Sequence, residues 1–380
     1  MNRLTVRLDP RRMGLALAAP VLALVVAVAL TSVVLLISGH DPVTAFHEMA
    51  SYGGSDASMV QILNKASGYY LSALAVAIGF RMNLFNIGVD GQYQLAVMVA
   101  AVVGAAVHLP AVLHVTLIVA VAVVVGAAWA GVAGLLKVTR GVSEVISTIM
   151  LNYIGGSIVA WMLTPEVFGV LQGNNISTPQ IAASGRLPGI PFAGGQVFGF
   201  SVVAALVGLG YWFVLGRTRF GFDLRATGLS EPAAIASGVS VKRMVVISML
   251  LSGGVAGLVG LPQLLGDSYA YSLNFPAGIG FTGIAVALLG RNHPVGIAVA
   301  ALLWSFLDVS NLPLELDNIP KEIVTIMQGT IVLAVVIAYE IVRRIGIAQE
   351  QRQVAATLAE IAPEVPGTPG APGSGVTAVL

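Results

Sequence analysis

The sequence predicts an all-α integral membrane protein of about ten transmembrane helices, several short or broken, with both termini cytoplasmic. Three observations carry that reading: too little charge for a water-soluble domain, long windows with none at all, and basic residues confined largely to one side. Of the 380 residues, 57% are hydrophobic and 10% charged, whereas soluble domains carry about 25% charged residues. No Asp, Glu, Lys or Arg occurs in 13–40, 91–136, 187–216, 244–266 or 268–290, windows of at least 23 residues each. A bilayer-crossing helix needs about 20. The absence of Cys excludes disulfides, cysteine-ligated metal and thiol catalysis. A net charge of +1 gives no global field that would draw nucleic acid.

Apolar runs bounded by charges, Pro/Gly turns or polar clusters lie near 14–37, 66–82, 90–108, 114–136, 144–163, 197–215, 244–265, 278–290, 294–308 and 323–342. The first is far longer than the 7–15-residue apolar core of a signal peptide, so it reads as an uncleaved span. The 46 residues of 91–136 hold two helices if His108-Leu-Pro110 turns the chain between them. The eighth and ninth runs are short, and Arg291-Asn-His-Pro294 forces a break, so these are half-helices or tilted pieces. Small residues at three- and four-residue spacing, in Gly126–Gly134 and Ser252–Gly260, predict tight helix crossings.

The charges test this count, because Lys and Arg near span ends stay on the cytoplasmic side. With the amino terminus inside, 16 of the 19 basic residues fall on inner segments and only Lys65, Arg186 and Lys321 on outer ones. Acids lean outward, Asp267 and Asp317 among them. The chain then divides into a cytoplasmic segment 1–13, a transmembrane domain 14–344 and a cytoplasmic tail 345–380. Within the domain are an outer loop 164–196, rich in Gly, Pro and Asn, and a basic inner loop 216–243. From Pro363 to Val376, 8 of 14 residues are Pro or Gly, which predicts disorder from about 363.

Three polar stretches could serve function. Asn83, Phe85, Asn86, Asp90 and Gln92 fall between two spans with almost no loop. Polar backbone breaks at membrane depth are tolerated only where they are buried in protein or line a watery cavity. The stretch is either a pathway or hinge element or a tight turn at the inner interface, with Asp90 placed where the helix dipole favours an anion. Next, Glu144, Asn152 and Tyr153 share one helix. They either meet a polar substrate or bond neighbouring helices. Third, Ser230 is a good N-cap, with Glu231 and Pro232 in the first turn and Gly238 as the stop. Two turns rich in Ala are too few to stand alone, so this helix docks on its own inner face or in a partner's groove.

Catalytic signatures are missing. Gly278-Ile-Gly280-Phe-Thr-Gly283 matches a dinucleotide fingerprint in letters, but that motif needs a preceding strand and a following acid. Here it opens an apolar membrane segment. His47-Glu48 starts a zincin motif that Ser51 breaks. No phosphate loop is present, so nothing in the chain hydrolyses ATP, and neither a catalytic residue nor a metal site is expected.

The same stretches resemble a known family. Phe85-Asn-Ile-Gly-Val-Asp90-Gly-Gln92 looks like the Phe-Asn-Ile-Gly-Val-Glu-Gly-Gln-like motif of ABC importer permease subunits in the branched-chain amino acid and simple-sugar permease superfamily, with Asp for Glu at 90. Arg217-Thr-Arg-Phe-Gly221, Arg225-Ala-Thr-Gly228, Pro232-Ala-Ala234 and Gly238-Val239 are similar to its cytoplasmic coupling segment. Leu251–Gly257 and Phe281–Arg291 also look familial, and Glu144–Ile154 resembles the nucleoside-importer branch. The likeness runs from about Tyr70 to Val309.

The resemblance implies a permease of the bacterial plasma membrane that forms half of a pathway for a nucleoside. Its implied partners are an ABC ATPase subunit, a second permease subunit, identical or homologous, an extracytoplasmic substrate-binding lipoprotein, and membrane lipid. ATP is then used by the partner subunit and no cofactor is bound by this chain. Gly228, Ser230, Glu231, Pro232, Ala233, Ala234 and Gly238 become the coupling element. A simple sugar or branched-chain amino acid is the alternative solute. An ion-coupled secondary transporter is the alternative mechanism, disfavoured because Asp90, Glu144 and Asp308 all lie near span ends.

Overall fold

A computed structural model describes residues 25–173, 175–316 and 322–361. The segment 1–13, the start of the first run, Asp317, Lys321 and the tail from 362 lie outside the described residues. The helices are α1 (Val25–Ile37), α2 (Pro42–Gly53), α3 (Asp56–Phe80), α4 (Val89–Ala106), α5 (Ala111–Arg140), α6 (Glu144–Met162) and α7 (Phe200–Arg217). After them come α8 (Arg219–Leu229), α9 (Glu231–Ala236), α10 (Val241–Gly257), α11 (Leu261–Gln263) with a π-turn at Leu264–Ser268, α12 (Ile279–Leu289), α13 (Pro294–Val309), α14 (Leu312–Leu316) and α15 (Glu322–Ile361).

Each of the ten apolar runs is helical over most of its described residues. Among the described residues, six stretches are long and apolar enough to cross a membrane: α4, α5, α6, α7, Val241–Ser268 and Pro294–Leu316. The pair α1–α2, bent by 117°, would make a seventh. At 25 residues, α3 extends about 37 Å but carries Asn64, Lys65 and several Ser and Gly. It can be that polar because it faces protein: 15 of its 25 residues are buried, among α7, α10, α12 and α13. The 40 residues of α15 run about 60 Å.

Local chemistry sets the helix ends. Ser55 Oγ accepts from Ser58 N at the start of α3, and Pro110 precedes α5 as the expected turn. Gly141, at φ 68°, closes α5 after Lys137 and Arg140, which suit the negative end of its dipole. The predicted small faces meet where α5 crosses α10. A methyl on Gly126 would strike the Gly253 carbonyl, and one on Gly257 the Ala122 carbonyl, so the two backbones touch.

The all-α expectation needs one correction. The loop between α6 and α7 carries two antiparallel hairpins, β1 (Val170–Gln172) with β2 (Asn175–Ser177), and β3 (Ile190–Phe192) with β4 (Gly195–Val197). Three-residue strands are marginal alone. The loop is held by bonds to the segment after α11: Thr178 N to Tyr271 O and Ile181 N to Tyr269 O, both 2.8 Å, and Leu187 N to Leu265 O, 3.0 Å.

Candidate functional site: a polar hairpin above a short exposed helix

At the basic end of the bundle α3 closes with Asn83 in the left-handed region, φ 58°. Leu84 N bonds Gly79 O at 3.0 Å and Asn83 N bonds Phe80 O at 3.1 Å, a helix stop that Asn tolerates well. The chain then turns back along α3. Phe85 remains 44% exposed, edge-on to Phe80 at 5.2 Å. Asn86 is buried and pairs amide to amide with Gln92: Asn86 Nδ2 donates to Gln92 Oε1 at 3.0 Å, and Gln92 Nε2 donates to Asn86 Oδ1 at 2.8 Å. Asn86 Nδ2 also donates to Ser252 Oγ at 2.8 Å, which in turn donates to Ala75 O at 2.6 Å. One polar knot thereby joins α3, α4 and α10.

The first turn of α4 has no cap of its own. Asn152, from α6, supplies one: its Oδ1 accepts from Gly91 N and its Nδ2 donates to Ile87 O, both at 2.9 Å. A side chain at Gly91 would collide with Asn152 Cα at 2.7 Å, so Gly is required there. Asp90 reaches the other way, to α12. Its Oδ1 accepts from Gly280 N at 3.0 Å and its Oδ2 from Gln94 Nε2 at 2.7 Å. Ser72 Oγ donates to Ile279 O at 2.9 Å, so α12 begins level with Ser72. That is eight residues, about 12 Å, inward from the end of α3. The N-termini of α4 and α12 therefore converge inside the bundle on one carboxylate. Each contributes roughly half a positive charge, together offsetting Asp90.

The second polar group does not assemble as one site. Glu144 is buried at the start of α6 and paired with Lys137 Nζ at 2.5 Å. Tyr153 points away from Asn152 and is 78% exposed. It lies on an apolar groove with Ile154, Ser157, Ile158 and Trp161.

Beneath the hairpin, the predicted short helix is α9. Ser230 Oγ accepts from Ala233 N at 3.4 Å, Pro232 stands in the first turn, and Gly238 adopts φ 83°. Glu231 and Ala233 are exposed, whereas Ala234 is 3% exposed and faces the protein. The helix docks on α8 and α10. Gly228 lies against the end of α3, where a methyl would meet Arg81 O at 2.6 Å and Met82 Cα at 2.9 Å.

A family model described as "Branched-chain amino acid transport system / permease component" matches residues 58–336. The chain belongs to this family. A guanosine ABC transporter permease protein of Bacillus subtilis (NupP) is 35% identical over 332 residues, covering 85% of this chain and 93% of its own. A glucose ABC transporter permease protein of Haloferax volcanii (TsgB13) is 32% identical over 365 residues, covering 91% and 95%. A nucleoside ABC transporter permease protein of Lactococcus lactis (NupB) is 31% identical over 338 residues, covering 84% and 90%. No solved structure matches the chain.

This permease is a multi-pass membrane protein. Among the described residues no three His, Asp or Glu side chains converge as a metal site would need. Sequence reasoning overlooked three residues here. Leu229, just before the short helix, and Ile235, within it, are large apolar side chains 89% and 59% exposed. The third is Arg81, which opens the polar stretch and is one of the inner basic residues. Its Nη2 donates to Asn292 O at 2.8 Å, an acceptor shared with Tyr211 Oη at 2.8 Å.

Proposed function

We propose that this permease forms half of the translocation pathway of an ATP-driven nucleoside importer in a bacterial plasma membrane. It has ten spans, with both termini and the basic end in the cytoplasm. A separate ABC ATPase subunit binds and hydrolyses ATP. It grips α9 and its flanks, from Gly228 to Gly238, with Leu229, Ala233 and Ile235 entering its groove. A second permease subunit completes the pathway, and an extracytoplasmic binding lipoprotein delivers solute to the hairpin end. The observation that carries the solute class is the 35% identity, across 85% of the chain, to a permease named for guanosine.

Ion coupling is disfavoured because each acid it would need is engaged: Asp90 by the two helix ends, Glu144 by Lys137, and Asp308 by Lys65 and Tyr69, both at 2.8 Å. A sugar is the second reading, supported by the 32% identity to a glucose permease. The test is uptake into vesicles holding the complete transporter with its binding protein. Guanosine should accumulate with ATP and be competed by other nucleosides. Accumulation of glucose but not guanosine would select the second reading, and accumulation without ATP would overturn both.

A further inference from the structure

This inference rests on the importer reading and adds a residue to it. We propose that Arg81 is a positioning residue whose hydrogen bonding to Asn292 switches between two arrangements as the ATPase moves α8 and α9. Three elements meet at Arg81: the end of α3, the turn between α12 and α13, and α8. Its carbonyl lies against Gly228, main chain on main chain, so a displaced α8 has no side chain to compress and must shift Arg81 itself. Its guanidinium holds Asn292 O together with Tyr211.

The junction also contains an unused donor and an unused acceptor. Arg81 Nε and Asn292 Oδ1 are both buried and lack a hydrogen-bond partner. Leaving such groups unpaired is costly, and most buried polar atoms are satisfied. A second arrangement, with Arg81 Nε donating to Asn292 Oδ1, satisfies both. A bistable element at this place links the coupling surface to both mid-bundle helix starts: the α3–α4 hairpin leads to Asp90, and α12 leads to Gly280.

Asn292 provides the test, because its side chain and its carbonyl play different parts. At φ 54° it occupies a conformation that Gly adopts freely. Asn292→Gly therefore removes Oδ1 and keeps the carbonyl that Arg81 and Tyr211 hold now. Asn292→Asp keeps the size and replaces the idle acceptor with a carboxylate that fixes Arg81 in the second arrangement. Both are to be measured in the complete transporter, as ATP hydrolysis and as solute accumulated per ATP. The expected result is near-parental hydrolysis with accumulation per ATP lowered about fivefold or more in each. Parental accumulation in both would overturn the switch. Failure of both to assemble would also overturn it, by showing the side chain to be structural. A parent complex that imports nothing overturns the importer reading and this inference with it.

Discussion

Asn152 caps a helix to which it does not belong: its amide bonds Gly91 N and Ile87 O, each at 2.9 Å, and fastens the start of α4 to the middle of α6. An N-cap contributes about 1–2 kcal/mol. Asn152→Ala should lower the stability of the purified permease by that amount, and Asn152→Asp, which sets a carboxylate oxygen against the Ile87 carbonyl, by at least as much. Thermal unfolding in detergent measures both. Equal midpoints for parent and Asn152→Ala would show that the cap contributes nothing.

Asp90 faces two helix N-termini, and its charge and its acceptor atoms can be removed separately. Asp90→Asn retains an acceptor for Gly280 N and loses the charge that offsets the dipoles, costing about 2 kcal/mol. Asp90→Ala also leaves Gly280 N and Gln94 unpaired, adding roughly 1–3 kcal/mol. Unfolding midpoints should fall in the order parent, Asn, Ala. An Asn variant as stable as the parent would remove the electrostatic account.

The two alanines proposed for coupling should behave differently. Ala233 is exposed on α9, so Ala233→Arg should leave the permease folded while ATP-driven uptake is lost. Ala234 is buried against the protein, so Ala234→Arg should undock α9 and lower stability as well. Leu229→Asp and Ile235→Asp should weaken capture of the ATPase subunit. Parental ATPase binding by all four variants would place the coupling surface elsewhere.

Because the chain has no Cys, single cysteines report directly on burial. Asn83→Cys and Phe85→Cys, exposed at the basic end of the bundle, should react with permeant thiol reagents. Asn86→Cys and Gln92→Cys, whose parent side chains are 1% exposed, should be protected in the state described here. Rapid labelling at Asn86 or Gln92 would mean that water enters the knot and that it lines the conduit.

Much of this was legible in the residues. Charge-bounded runs located the helices because a bilayer excludes charge, and glycine spacing located the α5–α10 crossing. The density of polar groups from Asn83 to Gln92 marked the hairpin, although not its bonding. Asn152 was singled out without its partner, since the bond to Gly91 depends on how α6 packs. The β-hairpins left no trace, because contacts with the segment after α11 hold strands too short to have a periodicity. Helical patterning alone could not tell Ala233 from its neighbour Ala234, which faces the protein. Arg81 was hidden among basic residues that a simple topology rule already explained.

The crossing of α5 and α10 carries a genetic consequence. Every non-synonymous single-nucleotide change in a glycine codon inserts a side chain or a stop. At Gly126, Gly253 and Gly257 even the smallest insertion strikes a carbonyl or methyl of the opposite helix. Drift at these three codons should therefore be confined to the silent third base, while the outward-facing rows of the same helices should accept exchange among apolar residues.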